Sequence, residues 1–288
     1  MSSAQNVKTA FPRPSASLIV VNDKNEVLLV QRNPQAKAFS GMHVFPGGNY
    51  DERQDGGSYE MTAIRETFEE SGLLLASSSA SISDEDLDTA RYAIHAGRTL
   101  FKDFLSQNEL KADVPSLLPF TQWITPPGSP RRFHARFFVA FLPASSSSGF
   151  SSGSSQQRLP TPDGGQEVVS ARFVHPADAL AECQAGKVVF MPPQYYLLST
   201  LASILTGRSA SAAQRAQVEA LSASSFGTLV VNPMPYKGPE VPEGLSCLTY
   251  EGDEQRGGPP GRLHRSYIRF EKGVPREIRL LRNFDQDI

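Results

Sequence analysis

Glu66, Glu69 and Glu70 are the residues of this sequence whose types and spacing could do chemistry. Side chains three and four positions apart share one face of a helix, so Glu66 and Glu70 stand one turn apart with Glu69 beside them. Glu60 lies upstream on the same segment, and Arg65 supplies a nearby cation. Carboxylates packed this closely repel unless a cation or a proton stands among them. One reading is a salt-bridged surface helix. The other is a site for a hard divalent cation: Mg2+ takes carboxylate oxygens together with substrate phosphate oxygens, polarising a phosphoryl group and activating water.

The elements that must position these acids favour the second reading. A short strand, Met42 to Phe45, runs into the turn Phe45-Pro46-Gly47-Gly48, and the acidic helix stops at Gly72, a residue suited to a helix C-cap. Ala63, Ile64, Thr67 and Phe68 give the helix a buried side opposite the acids. Strand, glycine turn and two-faced helix make a rigid mount for a hard divalent cation.

Upstream, residues 1–14 read as a loose lead-in, and Ala16 to Val21 and Val27 to Gln31 as two strands around a turn. Arg32 then faces either a substrate phosphate or solvent. Downstream, a Ser/Ala-rich loop at 76–83 precedes apolar residues at helical intervals from Asp84 to Leu105, one helix or two broken near Gly97. This insertion, 76–117, either shapes a pocket or buttresses the domain. Leu118 to Thr125 and Arg132 to Leu142 read as strands. Arg131, Arg132, His134 and Arg136 gather positive charge beside aromatic residues, which suits phosphate and base recognition, with Arg132 and Phe133 the substrate-binding candidates. Alternatively Phe133, Phe137 and Phe141 line a core face and the basic residues are solvated. The loop 144–165 holds the low-complexity run Ala144 to Gln157, a flexible insertion between strands. Glu167 to Val174 is a strand, and Glu167 at its entry is either a surface acid or an extra metal ligand or general base. Pro176 to Ala185, Met191 to Leu205 and 210–223 read as helices. Four short β-like runs follow (Leu229 to Val231, Leu245 to Tyr250, Leu263 to Phe270, Glu277 to Leu281), separated by the loops Pro233 to Gly244 and Gly252 to Gly261. They suggest a small β appendage whose basic end, Arg262 to Arg282, is a solvated face.

Composition sets the bounds. At 288 residues, with 39% hydrophobic and 20% charged residues, the chain is a soluble globular protein of one large or two small domains. A net charge of −2 gives no reason to expect nucleic acid or an acidic membrane as a partner. Cys183 and Cys247 stand far apart without ligand spacing, pointing to a reducing compartment and no zinc site. No apolar run reaches the ~18 residues of a membrane span. A cytoplasmic location is the default. The acid-free first 22 residues leave a mitochondrial leader open, and Gln286-Asp287-Ile288 is not a peroxisomal address.

Arg65-Glu66-Thr67-Phe68-Glu69-Glu70-Ser71-Gly72-Leu73 resembles the second half of the Nudix box, G-x5-E-x7-R-E-U-x-E-E-x-G-U with U apolar. The first half departs from that pattern. Eight residues before Arg65 stands Gly57, where the box has Glu; counted from Gly48 the acids fall at Asp51 and Glu52, with Arg53 to Gly57 as inserted loop residues. Thr67 also replaces an apolar residue. Further landmarks (AIRETFEESGLLL, Trp123-Ile124-Thr125-Pro126, the Arg131 to Phe138 run and Pro192-Pro193-Gln194) are similar to Nudix hydrolases of the RP2p type, whose animal members are peroxisomal coenzyme A diphosphatases.

The resemblance implies an α/β fold, a Nudix-type α/β/α sandwich around a mixed sheet, over residues 15–205, with a C-terminal helix and β-rich extension at 206–288. It implies that Glu66, Glu69 and Glu70 hold Mg2+ or Mn2+, that Arg65 orients them, and that Gly47, Gly48, Arg32, Arg132 and Phe133 bind substrate. Glu66 or Glu167 would help water attack one phosphorus of a small nucleoside diphosphate derivative. For coenzyme A the products are 3′,5′-ADP and 4′-phosphopantetheine. ADP-ribose, NADH or a diadenosine polyphosphate remain alternatives, as do a non-catalytic nucleotide-binding module, for which Gly57 leaves room, and a scaffold protein. A homodimer is left open.

Overall fold

The computed structural model describes residues 11–36, 39–78, 82–129, 131–142 and 160–284. The expected flexible run 144–157 and most of the lead-in lie outside these residues.

Strands β1 (Arg13–Val21), β2 (Val27–Arg32), β3 (His43–Val44) and β4 (Gly47–Asn49) lead into helices α1 (Glu52–Asp55) and α2 (Tyr59–Ser71). The insertion comprises β5 (Ala76–Ser78), α3 (Asp84–His95), α4 (Phe101–Gln107) and β6 (Leu110–Ala112). Next come β7 (Leu118–Ile124), β8 (Phe133–Phe141), β9 (Val168–Val174), α5 (Pro176–Gln184) and α6 (Pro192–Ile204). The C-terminal part holds α7 (Ala212–Ala223), α8 (Ser225–Thr228), β10 (Val230–Val231), β11 (Met234–Tyr236), β12 (Ser246–Thr249), β13 (His264–Glu271) and β14 (Val274–Arg282).

β1 is the spine of the main sheet. From Ser15 onward it is buried throughout, which is why its sequence is a continuous apolar run rather than an alternation. It pairs in parallel with β8 from Arg13↔Phe133 to Val21↔Phe141. The sheet runs β10-β7-β8-β1-β2-β3, with β4 also on β1 and β9 on β2. Successive side chains point to opposite faces, and each face has its own core. Ile19, Val21, Leu29, Phe137 and Val139 pack with Leu197, Leu201, Val218 and Leu221 of the C-terminal helices. Leu18, Val20, Leu28, Phe138 and Ala140 pack with Ala63, Ile64 and Phe68 of α2 and with Leu87, Ile94, Phe101 and Phe104 of the insertion. The result is the expected sandwich of helices about a mixed sheet. Among the described residues no helix is long and apolar enough to cross a membrane.

Several expectations need correction. β1 begins at Arg13, so the lead-in is shorter than expected. The insertion takes the second of its two expected forms, two helices broken near Gly97, but part of the loop expected at 76–83 is instead β5, paired antiparallel with β6. β10 joins the main sheet alongside β7, and Tyr250 packs edge-on against Trp123 and Tyr196 at ring distances of 5.3 and 5.9 Å. The extension therefore shares the main core. Its sheet, β11-β12-β13-β14, includes a strand within the stretch read as the loop Pro233 to Gly244. Nor is its basic end simply solvated: Arg265 is buried, with Nε and Nη2 on Asp253 at 2.8 and 2.7 Å and further ion pairs to Glu240 and Glu254.

Candidate active site

Helix α2 is built to hold its acids still. Ser58 caps its N-terminus by accepting the Met61 N–H, and Gly72 closes its C-terminus in the left-handed region at φ 75°. Thr67, the polar residue in an apolar slot, is fully buried but satisfied, its Oγ1 donating to the Ala63 carbonyl at 2.7 Å. Glu60 stays out of the cluster, its carboxylate taking the Ser58 hydroxyl at 2.8 Å in the first turn.

Gly47 and Gly48, expected in a turn, instead lie in strand β4 on β1, and they bring backbone against the acids. The Gly47 N–H donates to Glu70 Oε2 at 3.0 Å. A Cβ on Gly47 would lie 2.5 Å from the Ala16 carbonyl oxygen, and one on Gly48 would lie 2.5 Å from the Glu66 carboxylate. At Gly47 the added atom would meet fixed backbone, and at Gly48 the movable end of the Glu66 side chain.

Two arginines stand among the carboxylates. Arg65 Nη1 donates to Glu66 Oε1 at 2.8 Å and to Glu69 Oε1 at 2.9 Å. Its remaining donors go to the Asn49 carbonyl and to both oxygens of Asp55, which is buried within the segment read as inserted loop. Asp51 and Glu52, the acids counted from Gly48, do not take this place: Asp51 caps α1, and Glu52 pairs with the Tyr50 hydroxyl. Arg32 bridges Glu70 at 2.9 Å and Glu167 at 3.2 Å. Its Nε is buried and has no hydrogen-bond partner among the described residues. Because β9 runs antiparallel to β2 with a register shift at Arg32, Glu167 arrives beside this cluster from far along the chain. His95 of the insertion stands 3.4 Å from Glu69.

Electrostatics separate the three acids. Burial pushes Glu66 up to about 7 against the pull of Arg65. Burial and then the charge of Glu66 carry Glu70 well above the usual carboxylate range, despite Arg32 and the Gly47 amide. Burial acts on Glu69 in the same sense, but His95 and Arg65 outweigh it and hold that carboxyl below its ordinary value. Two crowded acids that resist ionisation are short of positive charge.

This donor set fits a hard divalent cation. Among the described residues no three acidic, imidazole or thiol side chains converge closely enough to hold a metal ion by themselves. An open row of carboxylates suits Mg2+ and Mn2+ better than a cage does, since Mg2+ keeps waters and substrate phosphate oxygens in its shell.

The structure thus brings together Glu66, Glu69, Glu70, Arg65, Arg32, Glu167, Gly47 and Gly48. Arg132 and Phe133 are set apart. Phe133 pairs with Arg13, three residues along β1 from the Ala16 that faces Gly48, or about 10 Å at strand spacing. Arg132 donates to the Thr125 carbonyl at 2.9 Å, and Phe133 packs on Phe39. The basic residue level with Gly48 is Arg136, whose guanidinium lies 3.8 Å over the ring of Tyr59. Sequence reasoning missed Asp55 and His95. The Gly56-Gly57 pair after Asp55 was the available signal, since two glycines let a chain turn back sharply.

Comparison with known proteins bears on the family and the fold. A family model described as the NUDT19 Nudix domain matches residues 54–201, just over half of the chain. A putative nudix hydrolase 7 of Caenorhabditis elegans is 26% identical over 201 residues, 68% of this chain and 62% of that protein. An acyl-coenzyme A diphosphatase NUDT19 of Xenopus laevis is 28% identical over 156 residues, 48% of this chain and 38% of that protein. The chain therefore spans less than two thirds of the length of either relative. Among solved structures, a NUDIX hydrolase from Alicyclobacillus acidocaldarius has the same fold, with a TM-score of 0.55 at 24% identity over 67% of this chain and 92% of its own.

Proposed function

Because this chain belongs to the NUDT19 Nudix domain family, we propose that it is a metal-dependent hydrolase of the diphosphate linkage in coenzyme A or acyl-CoA. The products are 3′,5′-ADP and (acyl-)4′-phosphopantetheine. The observation that carries this reading is the row of Glu66, Glu69 and Glu70 against the Gly47-Gly48 backbone, with two of the three carboxyls pushed up by burial and crowding. The similarity to the Xenopus acyl-coenzyme A diphosphatase supports the choice of substrate.

Glu66, Glu69 and Glu70 would hold Mg2+ or Mn2+, which when bound neutralises the diphosphate and acidifies water. The chain's own residues do the rest. Arg65 fixes the Glu66 and Glu69 carboxylates, and the Gly47 amide fixes that of Glu70. Arg32, which bridges Glu70 and Glu167, is the cation beside the acids that would meet a phosphate oxygen. Glu167, half-exposed at the rim, takes the proton of the water that attacks one phosphorus. The bridging P–O bond breaks and its electrons leave on the second phosphate. Glu66 and Glu70 are turned toward the glycine backbone and are committed to holding charge, which leaves the base role to Glu167. Asp55 supplies the acid that Gly57 lacks, which removes the reason for a non-catalytic module.

The test is product analysis with CoA, acetyl-CoA, a long-chain acyl-CoA, ADP-ribose and NADH, each with Mg2+ or Mn2+, beside Glu69→Gln and Glu70→Gln. Release of 3′,5′-ADP that disappears in both variants is expected. AMP from ADP-ribose or NADH alone would overturn the substrate and keep the chemistry. No product from any of them would overturn both.

A further inference from the structure

Glu167 is held by its backbone at both ends. Its N–H donates to Asp163 Oδ2 at 2.8 Å, and its carbonyl accepts the Asn33 N–H at 2.7 Å. Asp163 is 2% exposed, and its other oxygen accepts the N–H groups of Gly165 and Val168 at 3.0 and 3.1 Å. A single buried carboxylate thus gathers three amides of the segment 163–168. That segment can wrap it because Gly164 and Gly165 both take left-handed backbone, at φ 81° and 83°.

The wrapped segment is in turn tied to the catalytic helix by the insertion. Arg91 donates from Nε to the Glu69 carbonyl at 2.7 Å and from Nη1 and Nη2 to Thr161 at 2.9 Å. The Thr161 N–H donates to the Ser71 carbonyl at 2.9 Å. His95 stands between the Glu69 and Asp163 carboxylates, at 3.4 and 3.9 Å. Helix α3 therefore touches both the last turn of α2 and the segment that ends in Glu167.

We propose that Asp163 is a positioning residue, fixing the Glu167 backbone so that its carboxylate stands with Arg32 beside Glu70, and that helix α3 is the brace that sets this segment against the acidic helix. A carboxylate entering from a strand end has freedom to swing. Here the N–H, the carbonyl and the carboxylate of Glu167 are each held by a different group (Asp163, Asn33 and Arg32), so one side-chain rotamer faces the acids. The insertion then contributes to the geometry of the reaction as well as to the core. This inference rests on the assignment of Glu167 as the base, and the test separates the two.

Asp163→Asn keeps an acceptor oxygen for Gly165 and Val168 and places an amide NH2 against the Glu167 N–H, releasing that residue selectively. Four proteins are compared in Mg2+: wild type, D163N, E167Q and the double variant. Steady-state kcat and KM are measured on CoA, and hydrogen exchange of the Glu167 amide is followed in the same samples. E167Q is expected to lower kcat by roughly 10²-fold. D163N is expected to lower kcat by about 10-fold with KM little changed and to speed exchange at Glu167. The double variant should be no slower than E167Q, because two residues acting through one group do not add. If the D163N loss multiplies onto that of E167Q, or if Glu167 exchange is unchanged, the positioning role is overturned. A wild-type kcat in E167Q would overturn the base assignment instead, while the exchange result still decides whether Asp163 holds Glu167. Should D163N not fold, D163S, whose hydroxyl still accepts a nearby N–H, enters the same cycle.

Discussion

Asp55 grips Arg65 with both carboxylate oxygens, Oδ1 on Nε at 2.7 Å and Oδ2 on Nη2 at 3.0 Å, while Oδ2 also accepts from Thr62 and from the Asp51 N–H. The guanidinium is thereby turned so that Nη1 reaches Glu66 and Glu69. The acid that the sequence pattern places at Gly57 is supplied two residues earlier, from the end of a one-turn helix.

Replacing that acid should cost both stability and activity. Asp55→Ala leaves a buried cation short of one carboxylate, a loss on the order of 3 kcal/mol, read as a lower urea midpoint. Hydrolysis should fall by about 10²-fold as Glu66 and Glu69 lose their anchor. Gly57→Glu should not restore it. Gly57 sits at φ 90° facing open space, so the added side chain strains the backbone by about 1 kcal/mol and reaches nothing.

The two glycines of β4 should respond differently to alanine. In Gly47→Ala the new methyl meets the Ala16 carbonyl and the Ser17 Cα, backbone that cannot move aside, so thermal stability drops by on the order of 1–3 kcal/mol. In Gly48→Ala it meets only the Glu66 carboxylate, the far end of a side chain. That variant should fold like wild type and bind Mn2+ about 10-fold more weakly, as measured by calorimetric titration.

Removing metal should reveal the cost of crowding the acids. In EDTA, Glu70→Gln should melt higher than wild type, because it deletes a carboxyl that burial and Glu66 hold well above its usual range. Added Mg2+ should raise the melting point of wild type and leave that of Glu70→Gln nearly unmoved. Glu66 sets the sign with pH. Its folded-state value of about 7 lies above the unfolded one, so its contribution is full below pH 4.5 and fades as pH rises through 7. Metal-free protein should therefore gain from mild acid through this group, and Glu66→Gln should flatten that gain.

His264 works in the opposite direction. Burial lowers it to about 4, and its Nε2 stands 2.9 Å from the Tyr196 hydroxyl, with Nδ1 on the Glu251 carbonyl. A histidine with a depressed folded-state value favours the fold above pH 6.5, and that support is lost as pH falls toward 4. The full swing is on the order of 3 kcal/mol. Melting curves from pH 7 to 4.5 should show the fall, and His264→Asn should show a shallower one.

Helix α2 was legible in the sequence because everything that makes it is local: apolar residues at the helical period, Gly72 at its end, and acids three and four apart. The paired runs of β1, β2, β7 and β8 were legible for the same reason, each apolar over enough residues to need a sheet. Asp55 was not legible, since its meeting with Arg65 depends on a turn whose shape two glycines decide. The C-terminal β-rich extension was legible as such, but the place of its first run was not. Val230 and Val231 look like any short β run, and nothing in their own residues announces that they pair with Gln122 and Trp123. Arg265 likewise counted as one more exposed base until the fold set Asp253 against it.

That last strand pair bears on how the chain is made. Trp123 lies in β7, yet its covering rings, Tyr196 and Tyr250, and the strand that closes its edge belong to residues synthesised much later. A nascent chain that has just released β8 carries a bare indole and an unpaired sheet edge, the kind of surface that recruits stray strands. The last of the covering rings reaches that indole only once residue 250 has left the ribosome tunnel.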